Sequence, residues 1–279
     1  METPSDDAKN TIREPFLKAP ASKGGFRTVP FIIANEALER VASVGLSPNM
    51  ILYLTKEYGM ETAAAATVIF SWSAANSLAP ILGAFLADSY VGRYRMVGFG
   101  TILSFLGMAL LWLTAMFPQA RPDCDQFSRI CEPPTAPQLL LLYSSFGLMS
   151  IGNGGIRSSS MAFGADQLDK RNNPHNAETL QSFFNWYYAS ISFASLIAVT
   201  LIVYIQDNLG WKMGFGVPAV LMFVSAISFY LASPFYIKLK ARTSLLTGFV
   251  QVLVASFRNR HINLPISRAT NEPWYQQPL

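Results

Sequence analysis

Charge is what this sequence has least of. Only 14% of its 279 residues are Asp, Glu, Lys or Arg, while 51% are hydrophobic. A soluble domain carries about 25% charged residues. A chain this poor in charge cannot wet its own surface, which excludes a soluble enzyme, a nucleic-acid-binding domain and a disordered chain. Five stretches hold no charge at all: 62–87, 96–120, 133–156, 179–206 and 213–237, each 24 to 28 residues long. About 20 predominantly apolar residues suffice for a helix to cross a bilayer. Cysteine and histidine are nearly absent, with two of each. Cys124 and Cys131 have no nearby histidine with which to complete four zinc ligands, so no metal site is expected. No nucleophile–base pair or phosphate loop occurs, so neither enzyme activity nor a cofactor is expected. A secretory signal is missing as well: the first 29 residues mix both signs of charge and lack an apolar run. They read as a disordered tail at the start of the mature chain.

A sixth apolar segment, about 30–54, contains Glu36, Glu39 and Arg40. It spans a membrane only if those charges lie inside it. The reading is therefore an all-α membrane protein with six helices, roughly 30–54, 63–87, 96–117, 138–160, 181–205 and 214–237, making one bundle over 30–237. Lysine and arginine set its orientation. With the N-terminus in the cytosol, sixteen of them fall inside, Arg157 and Lys170 included, and four outside: Lys56, Arg121, Arg129 and Lys212. Both termini then face the cytosol, and the pI near 9.1 belongs to that face rather than to a nucleic-acid partner. Cys124 and Cys131 share a non-cytosolic loop, where a disulfide and two free thiols both remain open. Over 238–265 a cytosolic linker carries Leu246, Phe249, Val250, Leu253 and Phe257 at helical spacing, followed by Arg258 and Arg260. This reads as an interfacial helix. The polar tail 266–279 shows no periodicity.

Glu36, Glu39 and Arg40 stand at i, i+3 and i+4 and share one helical face. A charge at mid-membrane costs roughly 2.5 to 3.5 kcal/mol, and intramembrane ionisable groups mark ion and proton paths. Two carboxylates beside one guanidinium form a site whose proton occupancy can change; a static buried ion network is the other reading. Between helices 2 and 3 lies Gly83-x4-Asp88-x3-Gly92-Arg93, a tight turn with an acid and a base able to meet.

That turn resembles the loop 2–3 motif of the major facilitator superfamily. The resemblance implies that Asp88, Gly92 and Arg93 form a conformational latch. Glu36-x-x-Glu39-Arg40, Phe163-Gly-Ala-Asp-Gln-Leu168 and Phe183-Phe-Asn-Trp-Tyr-Tyr188 resemble motifs of the proton-dependent oligopeptide transporter family, in its plant nitrate/peptide branch. The match runs over about 25–265 and implies the N-terminal half of a major facilitator fold. It further implies a proton-coupled symporter driven by the proton gradient, in the plasma membrane before the vacuolar one. Glu36, Glu39, Arg40 and Arg157 would couple the proton, Arg157 standing where many members have lysine. Asn76, Asn185 and Tyr187 are candidates for the substrate cavity, or else polar bonds between helices. Peptide carriers often have F-x-Y-Y after the helix 1 motif, whereas this chain has Val41-Ala-Ser43-Val44. The change leans toward nitrate or another small anion. Peptides or plant metabolites, and a non-transporting half that serves as an assembly partner, are the alternatives. Members of the family have twelve helices, so this chain is expected to be a truncated half, partnered by lipid and by a second half.

Overall fold

The computed structural model describes residues 24–122, 133–169, 174–239, 245–258 and 260. Cys124, Cys131 and Lys170 lie outside the described residues. Among those described, all regular structure is helical. The helices are α1 (Val29–Lys56), α2 (Thr62–Leu86), α3 (Arg93–Met116), α4 (Ala136–Leu168), α5 (Asn176–Ile197), α6 (Val203–Leu231) and α7 (Leu245–Arg258).

Local chemistry sets the ends. Proline in the first turn starts α1 and α4, where its missing N–H costs nothing. Thr135 and Gln138 close a capping box on α4, satisfying donors that the first turn leaves free. α2 widens into a π turn over Ala87–Val91, which ends at Gly92 with φ 86°. That conformation suits glycine alone, and α3 begins at the next residue.

The structure changes several expected bounds. α4 runs to Leu168, about two turns beyond 160, and Arg157, which the expected 138–160 span already contains, is a residue of the helix rather than of the cytosolic connection it is counted with. α5, a π turn over Ala198–Ile202 and α6 are continuous from Asn176 to Leu231, longer than one crossing. Gly210, with φ 79° and ψ 175°, breaks that run between Asp207 and Lys212 and separates the fifth passage from the sixth. The sixth passage ends at Leu231 rather than 237. Of the expected tail, residues 1–23 lie outside the described residues, while 24–28 are tied to the bundle: Gly25 N–H donates to Gln167 O at 2.7 Å and Gly24 N–H to Phe235 O at 2.8 Å.

Among the described residues, four helical stretches are long and apolar enough to cross a membrane, the last being the broken run Asn176–Leu231. α1 is not among them, and Glu36, Glu39 and Arg40 interrupt its apolar sequence. α3 packs on α4, α2 on α4, and α1 on α5 and α6. Glycine makes the α3–α4 and α2–α4 approaches close. A Cβ on Gly152 would meet Ser104 Oγ at 2.3 Å and Gly100 O at 2.6 Å, and one on Gly154 would meet Ala79 Cβ at 2.6 Å. Small residues let membrane helices approach in this way without a hydrophobic drive between them.

Aromatic clusters close both ends. Tyr53, Tyr58, Trp211 and Phe215 pack at one end; Tyr94, Phe163, Phe229 and Tyr236 pack at the end that holds Asp88. Large apolar side chains such as Phe70, Leu82, Phe193 and Leu231 are exposed, as lipid-facing surfaces require. α7 belongs to a separate unit, 243–279. Its Leu253, Val254 and Phe257 are exposed, and the Arg260 guanidinium lies 4.6 Å from the Phe257 ring centre.

Candidate functional site

The three charges of α1 point into the bundle. Glu36 is 2% exposed and Glu39 1%. Arg40 reaches back one turn to Glu36, Nη2 to Oε1 at 3.9 Å. Arg157 comes across from α4 to Glu39, Nη2 to Oε1 at 3.6 Å, and donates a hydrogen bond to Ser43 Oγ at 3.0 Å. Both ion contacts are longer than a good charge-assisted hydrogen bond, about 2.7–2.9 Å. Glu36 Oε2 and both oxygens of Glu39 have no hydrogen-bond partner, and neither do Arg40 Nε and Arg157 Nε. Tyr187, buried on α5, lies within electrostatic reach of Glu36, Glu39 and Arg40, and Ser160 of α4 faces Glu36. The structure thus assembles four expected residues into one cluster held by charge rather than by closed hydrogen bonds. A buried carboxylate with free lone pairs is a place to put a proton.

The polar groups flanking the cluster are better satisfied. Asn35, beside Glu36 and fully buried, donates to Thr101 Oγ1 at 3.1 Å and Ser225 Oγ at 2.8 Å, tying α1 to α3 and α6. Asn76 accepts from Asn153 Nδ2 at 3.2 Å and donates to Trp72 O at 3.0 Å. Ser104 donates to Asn153 Oδ1 at 3.2 Å. Asn76 is therefore engaged in a bond between helices, the second of its two readings. Asn185 is exposed on α5, away from the buried Tyr187. A separate groove of about 650 Å³ between α1 and α5, lined by Pro30, Ile33, Leu38, Phe183 and Trp186, includes none of the four charged residues. Its apolar walls suit no anion.

At the Asp88 end the ion contacts are closed. Arg93 donates from Nε to Asp88 Oδ1 at 3.1 Å and from Nη1 to both oxygens of Asp166 at 3.0 Å. Gln167 Nε2 donates to Ile237 O at 3.0 Å, and its Oε1 accepts from Ile237 N–H at 2.8 Å. Asp166 and Gln167 had no assigned role in the sequence, although both stand in the Phe163–Leu168 motif. For Gln167 the available signal was the polar face of α4: Ser150, Asn153, Arg157, Ser160 and Gln167 recur at intervals of three, four or seven, the helical repeat.

A buried carboxylate–guanidinium cluster inside a six-helix membrane bundle defines a class, the N-terminal half of a major facilitator transporter fold. The comparisons agree. The family model "PTR2: POT family" matches residues 94–277. Protein NRT1/PTR FAMILY 1.2 of Arabidopsis thaliana is 56% identical over 247 residues, covering 88% of this chain and 41% of that protein. Protein NRT1/PTR FAMILY 1.1 of the same plant is 49% identical over 280 residues, covering 99% and 47%. Among solved structures, the POT family transporter PepTSo superposes with a TM-score of 0.67 at 24% identity, covering 88% of this chain and 44% of that one. An auto-inhibited POT family peptide transporter gives 0.69 at 25%, covering 86% and 43%. This chain belongs to the POT family, a family of membrane transporters and not of enzymes. It spans less than half the length of these relatives.

Proposed function

We propose that this chain is the proton-coupling half of a symporter for a small anion, nitrate or a close chemical relative, and that a second six-helix half completes the substrate site. The observation that carries this reading is the Glu39–Arg157 contact between α1 and α4, in which a buried carboxylate has no hydrogen-bond partner. A proton taken up by Glu39 cancels its attraction for Arg157 and frees the guanidinium for an anion. Leaving of the anion and of the proton restores the pair, so the two travel together. Val41-Ala-Ser43-Val44 leaves the cavity side of α1 without tyrosine hydroxyls, which favours a small anion over a dipeptide. Halves of such transporters rock against each other about a site at their interface. Asp88, Gly92 and Arg93, with Asp166, serve as the latch at one face. That face is cytosolic, with both termini, on the lysine and arginine bias; the membrane is the plasma membrane, and α7 lies in its inner interface.

The test is reconstitution of this chain with a complementary C-terminal half in proteoliposomes. An acidic outside should drive saturable uptake of labelled nitrate, abolished by a protonophore. Uptake indifferent to the gradient would refute the coupling, and gradient-driven uptake of dipeptides without nitrate would move the reading to peptide carriage. A tag between α4 and α5 reachable in intact cells would reverse the orientation.

A further inference from the structure

We propose that Ser43 sets how firmly Arg157 holds Glu39, by drawing the guanidinium toward its own oxygen and away from the carboxylate. Ser43 is one turn beyond Glu39 on α1, so the hydroxyl and the carboxylate stand side by side on one face. The same atom, Arg157 Nη2, is at hydrogen-bond distance from Ser43, 3.0 Å, and beyond it from Glu39, 3.6 Å. Glu39 is left with a charge contact and two oxygens without a hydrogen bond. Helical serines usually bond a carbonyl of their own preceding turn, as Ser71, Ser77 and Ser195 do here. Ser43 bonds across to α4 instead. Its oxygen accepts from the arginine, the one side-chain hydrogen bond it makes among the described residues.

Ser43 acts through Arg157 and is a positioning residue. The titratable and charged groups around Glu39 are Glu36 and Arg40 on α1, Arg157 on α4 and Tyr187 on α5. Of these, Arg157 alone is held by Ser43. Without the hydroxyl the guanidinium closes on Glu39, the pair tightens, and more acid is needed to part it.

This inference rests on the proton-coupling reading, and one experiment separates the two. The full 279-residue chain, in lipid nanodiscs, is titrated with pH while infrared difference spectra follow protonated carboxyl groups; Glu39→Gln identifies the band of Glu39. Ser43→Ala should move the midpoint of that band to lower pH by about 0.5 to 1 unit, the worth of one hydrogen bond. Ser43→Thr, which keeps the hydroxyl, should leave it in place. Helicity by circular dichroism checks the fold, and Ser43→Cys, with a weaker hydrogen-bonding group of similar size, replaces the alanine variant if helicity is lost. A midpoint unmoved or raised in Ser43→Ala, or an equal shift in Ser43→Thr, overturns the role of Ser43 while leaving the coupling intact. A spectrum with no band that Glu39→Gln removes overturns the coupling itself, and this inference with it.

Discussion

The middle of α4 and its end make the same kind of contact in opposite ways. At the end, Arg93 meets Asp166 with both carboxylate oxygens at 3.0 Å and Asp88 at 3.1 Å, and Gln167 is bonded on both sides of its amide. In the middle, Arg157 stands 3.6 Å from Glu39, whose carboxylate has no hydrogen bond. Both are arginine–carboxylate pairs. The difference is satisfaction: hydrogen bonds between ionised partners are short and strong, whereas a buried charge with open valences is costly to keep. The end of α4 is suited to holding and the middle to changing state.

Three substitutions test that contrast, from the largest effect to the smallest. Glu39→Gln in the reconstituted transporter should abolish gradient-driven uptake while expression and helicity persist. Normal acid-dependent uptake by that variant would place coupling elsewhere. Gly152→Ala should destabilise the bundle by about 1–3 kcal/mol through overpacking, because the new Cβ meets the α3 backbone. Gly147→Ala, whose Cβ would meet nothing within 4 Å, is the control, and thermal unfolding in detergent compares them. Equal melting of the two variants would mean that the α3–α4 approach can relax. Asp166→Asn should cost on the order of 1 kcal/mol, the worth of a charged hydrogen bond reduced by partial exposure, and should leave the Glu39 titration unchanged. A shift in that titration would show that the latch and the coupling cluster form one electrostatic network, and the contrast between them would fail.

How much of this could be read from residues alone differs by site. The charge-free lengths marked the membrane passages, and the i, i+3, i+4 spacing placed Glu36, Glu39 and Arg40 on one face. Arg157 entered the cluster through resemblance, since no local pattern joins two residues over a hundred positions apart. Asn76 could be read as a cavity residue or as a bond between helices, and its contact with Asn153 settles its present engagement. Ser43 looked like a loss, a missing tyrosine, until its hydroxyl was seen against Arg157.

The sequence by itself determined that this chain lies in a membrane and that α1 carries its charges on one face. Both follow from local periodicity and from the cost of charge in lipid, which need no knowledge of neighbours. Only the tertiary structure decided that Arg157 meets Glu39 and Ser43, and that Arg93 joins Asp166 to Asp88. Such partners depend on the depth and rotation of each helix. For α2, α3 and α4 those are fixed where Gly100 faces Gly152 and Gly83 faces Gly154, because close packing of backbones admits only a narrow range of register between the helices they join; α1 is held by Asn35 bonding to Thr101 and Ser225.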